Sequence, residues 1–374
     1  IGDMASIETI FSFKNLLEKI NCTNHDFREK NFYINPIEKI NYLFNSSIQA
    51  IEESDLVLLI GCNPRHEATM VNARLRKSIV KNKTSIFSIG NPGDLTYDYT
   101  LLGEDINELK NIVEGRSKIN EKIDNAKKPL FIIGESALEL KNAKYILNET
   151  KNFLIKKDFI NDSWNALNIL IQNASTVGAI DLKFYNIEDK NNFVFFDKLK
   201  NQDLKLLYLV GSDNLEIKKN NEFIIYQGSH GDRNAEIADV ILPSPAYTEQ
   251  DGLFINLEGR IQECRKASYP TNDAMEDWKI FNLINKSLHK SILFDDFLSL
   301  RKLALKEIPL FSDIDFLPIK NQVNNSQTLS LDSNEKIEIK PIDYYYSNAI
   351  TRASKTMSDC RNININNKKN GTNN

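Results

Sequence analysis

Two segments of this chain concentrate residue types that grip polar ligands, each at the end of an apolar run. The first is Gly61-Cys-Asn63-Pro64-Arg65-His-Glu67-Ala68, continued by Asn72-Ala-Arg74-Leu-Arg76-Lys77. The second is Tyr226-Gln-Gly228-Ser-His230-Gly231-Asp232, followed by Ile237-Ala-Asp239-Val-Ile-Leu-Pro243, Tyr247-Thr-Glu249 and Asn256-Leu-Glu258-Gly259-Arg260. Both put main-chain amides and Asn and Arg side chains beyond a strand's carboxyl end, equipment that could hold a phosphate or a pterin. The same residues have a plainer use: Asn and Gly supply turn geometry, and Arg–Glu pairs lock loops. On residue chemistry alone the plainer use comes first.

Other chemistries lack their signatures. No strand-to-helix turn carries G-x-G-x-x-G, and G-x-x-x-x-G-K-[ST] is missing, which argues against a dinucleotide or P-loop site. His66-Glu67 lacks the second histidine of H-E-x-x-H, and His25, His230 and His289 stand isolated. Nothing sits on G-x-S-x-G. Cys22, Cys62, Cys264 and Cys360 are far apart with no C-x-x-C, so the usual zinc and iron–sulfur spacings are missing. The same spacing offers no disulfide framework, and four free thiols in a reducing compartment are expected.

The elements that position these segments are legible as five apolar runs ending on glycine. They end at Gly61, Gly90, Gly134, Gly211 and Gly228. Runs of this kind suit strands buried on both faces of a parallel sheet, whose carboxyl edge is where ligands bind. Asp3 is expected to cap a first helix bearing Ile7, Ile10, Phe11, Leu17 and Ile20. Further helices are expected at Ile48–Ser54, Glu67–Asn82, Ala137–Thr150, Trp164–Gly178 and Asp277–Leu288. The last would turn Trp278, Phe281, Ile284 and Leu288 inward. Asp105–Ala126 reads as a helical connector, and Ala238–Pro243 as a short strand stopped by its proline. Ser312–Pro341 is polar and linker-like, and the asparagine-rich Asn362–Asn374 is expected to be disordered.

At 374 residues the chain has room for two cores. These are expected as α/β lobes over residues 1–125 and 126–311, with linker, docking arm and tail over 312–374. The net charge of −4 argues against a nucleic-acid surface. No apolar run approaches the roughly 20 residues that span a bilayer, so direct membrane insertion is not expected. No signal peptide is recognised before the first helix, and the start at Ile1 suggests a processed or split product.

The two ligand-type segments resemble the molybdopterin oxidoreductase superfamily, in which G-x-N-P after a strand and A-D-V-I-L-P…E…G…N…E-G-R recur. The resemblance narrows to the large iron–sulfur subunit (G type) of respiratory complex I (NADH:ubiquinone oxidoreductase). It is carried by Asn63-Pro-Arg65-x-Glu67, Asn72-Ala-Arg74-x-Arg76-Lys77, Asp94-Leu-Thr96-Tyr97, Tyr226-Gln-Gly228-x-His230-Gly-Asp232, Glu276-Asp-Trp278-Lys279 and Ile350-x-Arg352-Ala-Ser354-x-x-Met357. The resemblance implies two doubly wound, mostly parallel α/β lobes with an extended C-terminal arm. In that family one 2Fe–2S and two 4Fe–4S clusters sit in an N-terminal cysteine-rich region, which this sequence lacks.

What matches is the family's cofactor-free C-terminal part. The resemblance therefore implies no catalytic residue, no metal and no cofactor here. Gly61, Asn63, Pro64, Arg65, Gly228, His230, Gly231 and Asp232 would be a vestigial pterin edge. The implied role is structural support of NADH-to-quinone electron transfer. The implied partners are the cluster-bearing half of the subunit and neighbouring peripheral-arm subunits. The implied place is the matrix side of the mitochondrial inner membrane, or the cytoplasmic face in a bacterium. The rival readings are a reduced molybdopterin- or nucleotide-binding oxidoreductase domain and an assembly factor. Two further expectations follow. The loops after Gly61 and Gly228 should face each other across the lobe junction with Arg and aromatic side chains between them. Asp343–Cys360, with one short helix at Ala349–Met357, should order only against a partner.

Overall fold

A computed structural model describes all residues except 186, 189–191, 194, 202–203, 320–322, 341 and 370–374. All five glycine-ended runs are strands. The first sheet has five parallel strands: β1 (Leu56–Ile60), β2 (Ser85–Ile89), β3 (Thr100–Gly103), β4 (Pro129–Gly134) and β5 (Leu167–Leu170), in the order β3-β2-β1-β4-β5. Every residue of β1 and β4 is buried, as strands covered on both faces must be. After a short hairpin, β6 (Ile187–Glu188) with β7 (Asn192–Phe193), comes a second sheet. It consists of β8 (Leu206–Val210), β9 (Phe223–Gly228) and β10 (Val240–Pro243), in the order β10-β9-β8, also parallel. An antiparallel hairpin, β11 (Gly252–Ile255) with β12 (Ile261–Cys264), follows.

Several expectations need correction. β4, expected to open the second lobe, pairs with β1 along its length, from Leu56 opposite Pro129 to Ile60 opposite Ile133. A boundary between 125 and 126 therefore passes through one sheet. The helix Ile7–Lys19 also crosses that division. Its Phe13 stacks on Phe281 at 5.0 Å and meets Tyr208 of β8 edge-on at 5.1 Å. Ser6, not Asp3, caps this helix by accepting from the Thr9 amide at 3.1 Å. Trp164–Gly178 is not a helix: Leu167–Leu170 is an edge strand, and the helix begins at Thr176. The short helix near Ile48 is a 3-10 turn, Gln49–Glu53. The connector is two helices, Ile106–Val113 and Asn120–Asn125, whose Ile106, Leu109, Ile112 and Ile123 are fully buried. The helix Asp277–His289 buries Ile280 and Phe281 but leaves Leu288 59% exposed, so its inward face is rotated from the expected one.

The stretch after Ser312 departs furthest from expectation. Its polar composition conceals a strap bound to the first lobe. Main chain joins Ile337 to Glu104 and Glu335 to Ile106, while Asn142 donates to Glu335 at 2.6 Å and Ser326 exchanges hydrogen bonds with Asn152. Asn362–Lys369 is helical, the end of a helix starting at Lys355; the remainder of that expected disorder lies outside the described residues. Among the described residues no helix is long and apolar enough to cross a membrane.

Candidate functional site

The first edge is built at the carboxyl ends of β1, β2 and β4. The chain reverses sides between β1 and β4, the switch point where open α/β sheets leave a crevice. Gly61 leaves β1 at φ +61°, a conformation that favours glycine. Gly134 answers a different need: a Cβ there would lie 2.4 Å from both Cys62 Cβ and the Gly61 carbonyl oxygen. The crevice is filled. Ile337 of the strap, 1% exposed, lies about 3 Å from where side chains at Gly61 and Gly90 would begin.

Most polar residues of this motif are engaged within the chain. Asn63 caps the short helix Pro64–Glu67, accepting from the His66 amide at 3.2 Å and donating to Pro92 O at 2.6 Å. Pro64 opens that helix, where its missing N–H costs nothing. Arg65 pairs with Asp94 at 2.5 Å rather than with a glutamate, and holds its carboxyl below the usual range after the Thr96 amide's contribution. Asn72 is held by Leu95 O and the Tyr97 hydroxyl. Arg74 pairs with Glu52. The Asn63, Arg65 and Asn72 bonds fasten the loop after β2 to the helices after β1, and Arg74 ties those helices to the turn before β1.

Beneath them lies a set that the two motifs only partly include. Glu67 accepts from the Asn63 amide at 2.6 Å and from Gln172 at 3.3 Å; Glu135 accepts from the Gln172 amide at 2.8 Å and pairs with Lys30 at 2.7 Å. These residues knit the ends of β1, β4 and β5. Glu135 directly follows a strand-ending glycine, the one sequence signal that marks it. Burial pushes the Glu67 carboxyl up to about 7, against the pull of the Asn63 amide. A raised folded-state value means a stabilising contribution present below the unfolded value of ~4.3 and lost as pH rises through about 7. Glu67→Gln should therefore match wild type below about pH 4 and exceed it by roughly 3–4 kcal/mol at pH 8 in urea titrations. A difference that does not vary with pH would contradict this assignment.

The second edge lies beyond β8 and β9. Tyr226 donates to Asp213 at 2.5 Å and to His230 O at 3.1 Å, its ring folded beside Gly228. Ser229 and His230 contact each other at 2.9 Å, and Gly231 has open space beside it. Asp232 pairs with Arg352 of the C-terminal arm at 2.5 Å. Asp239 receives the Ile224 amide at 2.8 Å and Lys219 at 2.6 Å. Asn256 organises the β11–β12 turn through the Glu258 and Arg260 amides, and Glu258 receives the Ile48 amide at 2.7 Å. Ala349 and Ile350 of the arm help close a cavity of about 60 Å³ over Gly211 and Gly228, room for a few waters only.

The arm thus connects the two edges. A wider groove, about 500 Å³, separates it from His66–Val71. That groove is lined mainly by Ile48, Met70, Leu257, Ile342 and Met357, with no Lys or Arg to meet a phosphate. The arm was expected to order only against a partner, yet it packs back on its own chain. It forms two helices, Ala349–Ala353 and one from Lys355, rather than one. Among the described residues no group of three His, Cys, Asp or Glu could hold a metal. The buried Cys62 thiol is pushed well up by burial, which keeps it an unreactive thiol.

The molybdopterin oxidoreductase family model matches residues 1–287. The NADH-ubiquinone oxidoreductase 75 kDa subunit of Reclinomonas americana is 35% identical over 382 residues, covering 97% of this chain and 54% of that protein. The mitochondrial 78 kDa subunit of the same enzyme from Candida albicans is 36% identical, covering 96% of this chain and 50% of its own length. The G subunit of NADH-quinone oxidoreductase from Rickettsia bellii is 34% identical, with 96% and 51% covered. The chain spans about half the length of the curated relatives it matches.

Proposed function

We propose that this chain, which belongs to the molybdopterin oxidoreductase family, is the cluster-free part of a complex I subunit of the G or 75 kDa type. Its role is structural. It supports NADH-to-quinone electron transfer by docking the cluster-bearing half of that subunit and neighbouring peripheral-arm subunits. It would sit on the matrix side of the mitochondrial inner membrane, or on the cytoplasmic face in a bacterium.

The observation that carries this reading is the extent of the likeness, 96–97% of the chain against mitochondrial and bacterial subunits of one enzyme. The state of the two edges supports the cofactor-free role. The residues present do not fit a pterin dinucleotide: Ile337 occupies the crevice above Gly61 and Gly90, and Arg352 with Tyr226 occupies the surroundings of Gly228. Asn63, Arg65, Asn72, Arg74 and Asp232 of the two segments instead bond to Pro92, Asp94, Leu95, Glu52 and Arg352 of this chain.

Blue-native electrophoresis of membranes from the source organism tests the assignment. The chain should co-migrate with the mature complex that stains for NADH dehydrogenase activity. Its absence from that band, with presence in smaller subassemblies, would assign it as an assembly factor instead.

A further inference from the structure

The C-terminal region divides into two stretches of opposite character. The strap, residues 333–340, is main-chain paired and buries Ile337. Residues 342–357 lie over both edges, but Ala349 is their only buried side chain and Tyr344 is 59% exposed. So little apolar contact gives a segment low local stability. Its anchor is polar. Arg352 donates from Nε to Asp232 at 2.5 Å and from Nη1 to Asn214 Oδ1 at 2.7 Å and Tyr346 O at 3.1 Å.

We propose that residues 342–369 are a releasable arm, latched by Arg352 in a carboxylate socket, so that the carboxyl edge of the second sheet alternates between covered and open. This inference concerns the chain alone and does not rest on its membership of a complex.

The socket is over-supplied with negative charge. Asp3 comes from the N-terminal segment, Glu29 from the stretch before β1, Asp213 from the end of β8 and Asp232 from the end of β9. Asn214 links them, donating to Asp3 at 3.4 Å and to Glu29 at 3.2 Å while accepting from Arg352. Tyr226 satisfies Asp213 from β9, and on the arm itself Asp343 is engaged by Arg361. Arg352 is 12% exposed and Asp232 14%, so the pair is shielded enough for its charge to matter.

The docked arm acts on the socket's carboxyls in two opposed ways. Burial first, then neighbouring carboxylates, push Asp3 up to about 7, while Arg352 pulls it down. Burial likewise pushes Asp213 up to about 6, again against Arg352. Release of the arm removes that pull but also admits water to the same carboxyls, which relieves the larger effect of burial, so the two changes oppose each other.

The test is hydrogen exchange of the full chain at pH 8, corrected for intrinsic rates. Arg352→Gln should lower protection across 349–353 about tenfold or more at pH 8, and Arg352→Lys by less. The Ile337 amide, which bonds Glu104 O, should keep its protection in both variants and reports that the fold is intact. Unchanged protection of 349–353 in Arg352→Gln would overturn the latch. So would loss of arm and strap protection together, because the arm would then be part of the core.

Discussion

Gly134→Ala should cost about 3 kcal/mol or more of stability and leave the five-stranded sheet unfolded or poorly folded. The added methyl would lie 2.4 Å from the Gly61 carbonyl oxygen and from Cys62 Cβ, and 2.9 Å from Cys62 Cα. None of these atoms is the tip of a flexible side chain, so relief requires moving the end of β1. That strand is paired on both sides and fully buried, so the displacement spreads into the centre of the core. Gly231→Ala provides the contrast. It lies on the second edge with nothing within 4 Å of an added methyl, and should change stability by less than ~0.5 kcal/mol. Urea titrations followed by circular dichroism measure both. A loss below ~1 kcal/mol at Gly134 would mean that the packing between β1 and β4 is looser than these distances require.

Ile337→Ala should cost about 2–5 kcal/mol, the range for emptying a fully enclosed aliphatic site. Ile337 is 1% exposed, and the glycines beneath it leave no side chains that could rotate into the gap. Its main chain is fixed to Glu104, which limits collapse of the site. If residues 312–341 were a solvated linker, the same substitution would change the unfolding midpoint negligibly. Calorimetry or a urea titration of the full chain distinguishes these outcomes.

The strands β1, β2, β4, β8 and β9 were legible because each is a continuous apolar run closed by glycine, a pattern with few alternative explanations. Their grouping was not. Leu56–Ile60 and Pro129–Gly134 are equally apolar on both faces, so nothing in either run says which neighbour it takes. β5 was hidden because Leu167-Asn-Ile-Leu170 is short and its flanks allow a helix. The strap was hidden for a different reason. Its attachment runs through main-chain bonds and through Glu335, Asn142 and Asn152, which composition reads as solvated. Ile337 is its one fully buried apolar side chain among the described residues, with Val323, Leu329 and Leu331 packed partly buried against the core.

The site residues were legible as a set, through Gly61, Asn63, Arg65, Gly228 and Asp232, but their roles depended on partners distant in sequence. Arg65 meets Asp94, and Asp232 meets Arg352. The glycine-terminated runs do mark Glu135 and Asp213, which follow Gly134 and Gly211 directly or at one residue's remove. Their raised or shared charges arise only when burial and neighbours are known.

The central claim is that both ligand-type edges now serve structure. Metal and pterin analysis of the full chain, purified from a host that makes molybdopterin, tests it most directly. The account predicts iron, molybdenum and extractable pterin at far below one per chain. Stoichiometric pterin or metal, lost on Asn63→Ala or Arg65→Ala, would contradict it.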